Sequence, residues 1–192
     1  MAKVRSIGVF CGSRMGERES YQNSARHVGD AIAQAGARLV YGGGDVGLMG
    51  LSASAAAAKG GDVLGIIPEF LIAREGYLEG VDMRVVESMS VRKHQLIEES
   101  DAFVILPGGT GTLEEIFDVV SRQQLELHDK PVIFLNIEGF WDPFLALIEH
   151  TVKEGFTPQS LADHIVLEAD PTKAVAEIFR QLDAMKEKVA VD

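Results

Sequence analysis

The chain has 192 residues, 46% of them hydrophobic and 24% charged, a composition suited to one soluble core. Eighteen Lys and Arg against 29 Asp and Glu give a formal charge of −11. So acidic a surface excludes nucleic acid polymers and anionic membranes as partners, because affinity for a polyanion rests on a basic stripe. Cys11 is the only cysteine, which excludes a disulfide framework and a thiolate zinc cage.

The first five residues run straight into an apolar pattern that glycine soon interrupts, too short for a secretory leader. The small-residue run Leu51–Ala58 falls far below the roughly 20 residues that cross a bilayer. A cytoplasmic protein is expected. Strand patterns fall at Val4–Cys11, Ala37–Tyr41, Asp62–Ile67, Met83–Val86, Ala102–Leu106, Pro131–Leu135 and Ile165–Leu167. Several are near-continuous in Val, Ile, Leu and Phe, as in strands buried on both faces. Helical patterns lie between and after them, at Ser20–Ala35, Gly47–Lys59, Val91–Ser100, Thr112–His128, Pro143–Glu154 and Pro171–Lys186. Pro68–Gly80 reads as a surface loop. This alternation predicts an α/β fold, a Rossmann-like doubly wound parallel sheet of about seven strands flanked by helices.

In such sheets ligands bind beyond the carboxyl ends of the strands, near the point where strand order reverses. Three glycine-rich turns fall there: Cys11-Gly12-Ser13 after the first strand, Gly42-Gly43-Gly44 after the second, Pro107-Gly108-Gly109-Thr110-Gly111-Thr112 after the fifth. The last opens a helix, so its backbone N–H groups and threonine hydroxyls make a phosphate cradle. No Lys follows these glycines, so it is not a Walker loop. Residues 1–192 thus read as a single nucleotide-binding domain. Gly42, Gly44 and Gly47 also fit G-x-G-x-x-G, with Glu69 where a ribose-binding acid would stand, but on the second strand instead of the first. A mononucleotide pocket is the favoured reading; dinucleotide binding and plain tight packing are the alternatives.

Thr112-Leu113-Glu114-Glu115 has the spacing of a capping box, with Thr112 as N-cap. On spacing alone Glu115 is a cap partner before it is a catalyst. Arg92 and Lys93 sit in the first turn of a helix, where cations oppose the macrodipole. Such placement calls for a compensating ligand anion or Glu, and removal of Arg92 is expected to spare stability. Cys11 reads as a buried small hydrophobe and Ser13 has no nucleophile partners. The five histidines show no metal spacing.

Met89-Ser90-Val91-Arg92-Lys93, Ser100-Asp101-Ala102-Phe103 and Pro107 to Glu115, which fits P-G-G-x-G-T-x-x-E in full, closely resemble the Lonely Guy (LOG) family. Its members are cytokinin riboside 5′-monophosphate phosphoribohydrolases, often labelled lysine decarboxylases. The resemblance covers roughly residues 4–160, and Ser90 stands where the family motif has His, a departure that bears on base preference. It implies hydrolysis of the N-glycosidic bond of an adenosine 5′-monophosphate, with Arg92 and Glu115 as the catalytic pair. It implies substrate binding by Ser13, Gly43, Gly44, Glu75, Met89, Lys93, Gly108, Gly109, Thr110, Gly111, Thr112 and Glu114. No metal or organic cofactor is implied. A homodimer is, with Phe117, Val120 and the helix Thr112–His128 belonging either to its interface or to the core.

Two other classes compete. Pyridoxal-dependent decarboxylation needs a Schiff-base lysine, for which Lys93 is a poor candidate. A noncatalytic carrier of a nucleotide-bearing ligand, similar to molybdenum-cofactor carriers, shares the glycine turns but has no need of an Arg/Glu pair.

Overall fold

A computed structural model describes residues 5–189. Its seven strands are β1 (Ser6–Phe10), β2 (Arg38–Tyr41), β3 (Val63–Pro68), β4 (Asp82–Val86), β5 (Ala102–Ile105), β6 (Val132–Leu135) and β7 (Val166–Glu168). All pair in parallel, in the order β4-β3-β2-β1-β5-β6-β7. The chain builds outward from β1 to β4, then returns to place β5 beside β1. The doubly wound expectation holds, and strand order reverses between β1 and β5.

The helices are α1 (Glu19–Gln34), α2 (Gly47–Ala58), α3 (Glu69–Glu75), α4 (Met89–Glu98), α5 (Thr110–Gln124), α6 (Asp142–Lys153), α7 (Gln159–Asp163) and α8 (Pro171–Val189). Val28 and Ile32 of α1, Leu48 and Ala53 of α2 and Ile178 of α8 join Ile7, Val9 and Leu39 in a core on one face. Leu96 of α4, Ile116 and Val119 of α5 and Phe144 of α6 join Phe103, Ile105 and Phe134 on the other. The small-residue run of α2 exists for contact: a Cβ at Gly29 of α1 would lie 2.1 Å from the Ser52 carbonyl, so only small residues let these helices meet. Among the described residues, no helix is long and apolar enough to cross a membrane.

Two expectations need correction, and one helix was not anticipated. Pro68–Gly80 is no plain loop, since α3 occupies Glu69–Glu75 and ends where Gly76 takes a φ of 63°. The five-residue α7 was hidden in a polar stretch. The helix expected from Thr112 begins at Thr110, with Gly109 as its N-cap, and ends at Gln124. Val4, assigned to the first strand, lies outside the described residues, as do the ends of the span 1–192.

Candidate active site

The three glycine turns are stitched together. Gly12 N–H donates to the Pro107 carbonyl at 3.0 Å, and Leu48 N–H donates to the Gly12 carbonyl at 3.0 Å. A fourth element joins through Asp45 N–H, which donates to the Glu75 carbonyl at 2.9 Å. These bonds hold the ends of β1, β2 and β5 and the end of α3 around one cleft of about 490 Å³. Ser13, Glu75, Arg92, Gly109, Thr110, Gly111, Thr112 and Glu115 line it.

One wall is the start of α5. The first N–H groups of a helix have no partner within it, and the dipole favours an anion there. Gly109 caps this helix with no side-chain bond, and a Cβ at Gly109 or Gly111 would meet nothing within 4 Å, so the approach is open. Thr112 is buried in the first turn, and its hydroxyl makes no bond among the described residues. Gly108 exists for it: a Cβ there would lie 2.1 Å from Thr112 Oγ1. Thr112 is therefore not the N-cap, and the capping box falls. Glu115 is released from that duty.

Its partner is Arg92. Ser88 caps α4 by accepting from Val91 N–H, which sets Arg92 one turn in, buried and pointing across the sheet end. Arg92 Nη2 donates to the Gly42 carbonyl at 2.9 Å and Nε to the Ile66 carbonyl at 3.2 Å. Nη1 lies 3.8 Å from Glu115 Oε1 and 3.9 Å from Met89 Sδ. Strand-end carbonyls and a carboxylate thus compensate this cation. These contacts predict a stability cost on removal of Arg92, opposite to the expectation from its place at a helix start.

Burial lifts the Glu115 carboxyl to about 7; Arg92 opposes the shift, while Glu114 and Glu75 add to it. Glu75 sends Oε2 to a buried position with no hydrogen-bond partner among the described residues. Such a group is costly unless something else fills its valence. Gly44 makes room for it, since a Cβ there would lie 3.1 Å from Oε2. The space cleared by Gly42 and Gly44 is filled by Arg92 and Glu75. The protein itself uses these glycines, which removes the basis for reading them as a dinucleotide fingerprint.

Lys93, Glu114 and Gly43 stand apart from the cleft, whereas Cys11 lines it. Lys93 and Glu114 pair with each other at 2.8 Å across α4 and α5, with Asp118 3.9 Å from the ammonium. Gly43 takes a φ of 83° packed against Ile67 and Met83. Cys11 is buried, and burial with the nearby Glu115 charge pushes its thiol up, so it is inert. Val120 belongs to the core; Phe117 is 41% exposed. Sequence reasoning passed over Arg14 and Arg74, which also line the cleft. Their signal was present: cations beside the glycine turn and beside Glu75 in a strongly acidic chain.

Residues 49–178 match the family described as "Possible lysine decarboxylase". Over 190 residues the chain is 42% identical to cytokinin riboside 5′-monophosphate phosphoribohydrolase LOG3 of Arabidopsis thaliana, spanning 98% of this chain and 88% of that protein. This chain belongs to the LOG family. A second relative in that family, cytokinin riboside 5′-monophosphate phosphoribohydrolase LOG of Oryza sativa subsp. japonica, is 44% identical over 169 residues, covering 88% of this chain and 69% of its own. The LOG fold is shared more widely. The molybdenum cofactor carrier protein of Chlamydomonas reinhardtii aligns with a TM-score of 0.71 at 22% identity, over 94% of this chain and 99% of its own. That likeness is one of fold.

Proposed function

We propose that this chain is a phosphoribohydrolase that adds water across the N-glycosidic bond of an adenosine 5′-monophosphate, giving free base and ribose 5-phosphate. The observation that carries the reading is the buried Arg92–Glu115 pair set one helical turn beyond an open anion cradle. The 5′-phosphate rests on the N–H groups of Gly109 to Thr112 and on the Thr112 hydroxyl. The sugar then extends inward toward Glu115 and Glu75.

C–N cleavage builds positive charge on the sugar ring. A Glu115 carboxylate beside that ring stabilises the charge and orients or deprotonates the attacking water. Its ionisation near 7 suits acid–base work at neutral pH. Arg92, fixed by two carbonyls, holds Glu115 in place, and its Nη1 is the part left to face ribose or departing base. A homodimer belongs to this reading, with the exposed Phe117 on α5 a candidate contact; light scattering in solution tests it.

The decarboxylase label finds no chemistry here. The Glu114 hydrogen bond pushes the Lys93 ammonium up, away from the neutral amine a Schiff base requires. The carrier reading has a matching fold but gives the Arg92–Glu115 pair no task. Incubation with AMP and with its N6-isopentenyl derivative, followed by chromatography for free base, tests the proposal. Base and ribose 5-phosphate should appear in equal amounts; tight binding with no base released would favour a carrier.

A further inference from the structure

Ten arginines lie among the described residues, and most are tied to acids or amides. Arg5, Arg18, Arg38, Arg84, Arg92, Arg122 and Arg180 each have a carboxylate partner, and Arg26 bonds to Asn23. Arg14 and Arg74 alone make no side-chain hydrogen bond or ion pair among the described residues, in a chain that carries 29 acids. Both line the same cleft. In so acidic a molecule a partner is easy to supply, and its absence at these two positions only is a pattern with a site behind it.

The two cations also decide the sign of the cleft. Its ionisable lining consists of Arg14, Arg74 and Arg92 against Glu75 and Glu115, a net positive recess on a chain of charge −11. Without Arg14 and Arg74 the same recess is net negative and repels a phosphate. Recesses with low-dielectric walls focus such a field, so the sign at the cleft governs entry of an anion more than the distant surface does. Arg92 cannot substitute, since the Gly42 and Ile66 carbonyls fix its guanidinium beside Glu115.

Position agrees with charge. Arg14 follows the Gly12 turn that is hydrogen-bonded to Pro107, which brings it beside the opening of α5. Arg74 precedes Glu75, whose carbonyl is tied to Asp45, so α3 carries a free cation and a half-buried acid to the cleft together. A guanidinium offers paired N–H donors that match the oxygens of a phosphate.

We infer that Arg14 and Arg74 are the specificity-determining residues that make this cleft select a 5′-phosphorylated, doubly negative nucleotide over the uncharged nucleoside. This rests on the proposed site for AMP but adds a role that its backbone cradle does not fill. Neutral N–H groups orient a phosphate, whereas free cations set the preference for its charge.

The test is calorimetric binding of AMP, ribose 5-phosphate and adenosine to the wild-type chain, Arg14→Gln, Arg74→Gln and the double variant. Each single change should weaken AMP and ribose 5-phosphate by about tenfold and the pair by about a hundredfold, the scale of one charge-assisted bond per arginine. Adenosine affinity should stay constant, and Lys at both positions should recover part of the loss. In turnover, the deficit should fall on KM, and added salt should shrink it. AMP affinity in the double variant within twofold of wild type would overturn the inference, as would equal losses for AMP and adenosine. The hydrolase reading fails separately: a wild-type chain that binds AMP through these arginines but releases no base would sink that reading and leave this one standing.

Discussion

Arg92 Nη2 sits 2.9 Å from the Gly42 carbonyl, in space that a Cβ on Gly42 would enter at 2.0 Å from the same nitrogen. The glycine both receives the hydrogen bond and clears the room for it. Gly42→Ala should therefore expel the guanidinium and cut turnover by on the order of 10-fold to 100-fold, the usual cost of misplacing a positioned group by about 1 Å. Gly44→Ala should be milder, because its contact with Glu75 is 3.1 Å and needs only a small shift. Equal turnover in Gly42→Ala and wild type would show that this packing is incidental.

Arg92→Ala should lose both activity and stability. Two buried carbonyls lose their donor and Glu115 loses its compensating charge. A destabilisation of about 2–4 kcal/mol follows from unsatisfied buried acceptors and a broken buried pair. With the guanidinium gone, Glu115 should ionise at still higher pH, so the acid limb of residual activity should move up. Urea melts alongside pH–rate profiles check both; an Arg92→Ala chain as stable as wild type would count against the buried geometry.

Glu115 also makes a pH prediction with a definite sign. Its carboxyl ionises near 7 in the folded chain against an ordinary 4.5. Between these values the folded state keeps a proton that the unfolded state has lost. This group's contribution to stability is thus complete below about 4.5, falls as pH rises to about 7 and is level above that. Glu115→Gln mimics the protonated form. It should match wild type at pH 4 and exceed it at pH 8 by on the order of 3 kcal/mol. Denaturant melts at the two pH values decide the matter, and a variant no more stable than wild type at pH 8 would contradict the assigned burial.

Thr112→Val keeps the buried shape and removes only a hydroxyl with no internal partner. Stability should hold within about 0.5 kcal/mol, since no cap is lost. Affinity for AMP and ribose 5-phosphate should fall by about 10-fold to 100-fold, the worth of a hydrogen bond to a charged oxygen. Melting and binding of the same preparation separate the two. A cap role would reverse the pattern, with stability lost and affinity kept.

The middle of the sheet was legible because β1, β3, β5 and β6 are buried throughout, and burial on both faces forces continuous apolar runs such as Ala102-Phe103-Val104-Ile105. The glycine turns were legible by position, because strand ends converge in a doubly wound sheet. The capping box misled because Thr112-x-x-Glu115 satisfies that pattern, while Gly108 and Gly109 let the helix start two residues earlier. Arg92 misled for a related reason. A first-turn cation looks solvent-exposed in one dimension, whereas its carbonyl partners come from residues 26 and 50 positions away. Lys93, its neighbour, looked equivalent and turned instead to Glu114. Arg14 and Arg74 stand beside the glycine turn and Glu75 in the sequence, but their lack of a partner, which marks them out, shows only in three dimensions.

The decisive comparison is release of free adenine from AMP by wild type and by Glu115→Gln at saturating substrate, with AMP binding measured on both. Wild type should yield adenine and ribose 5-phosphate in equal amounts. Glu115→Gln should bind AMP yet turn over slower by on the order of 10²-fold or more, the scale of a removed acid–base group. Undiminished adenine release by the Gln variant, or none from a wild-type chain that binds AMP, would contradict the role given to Glu115.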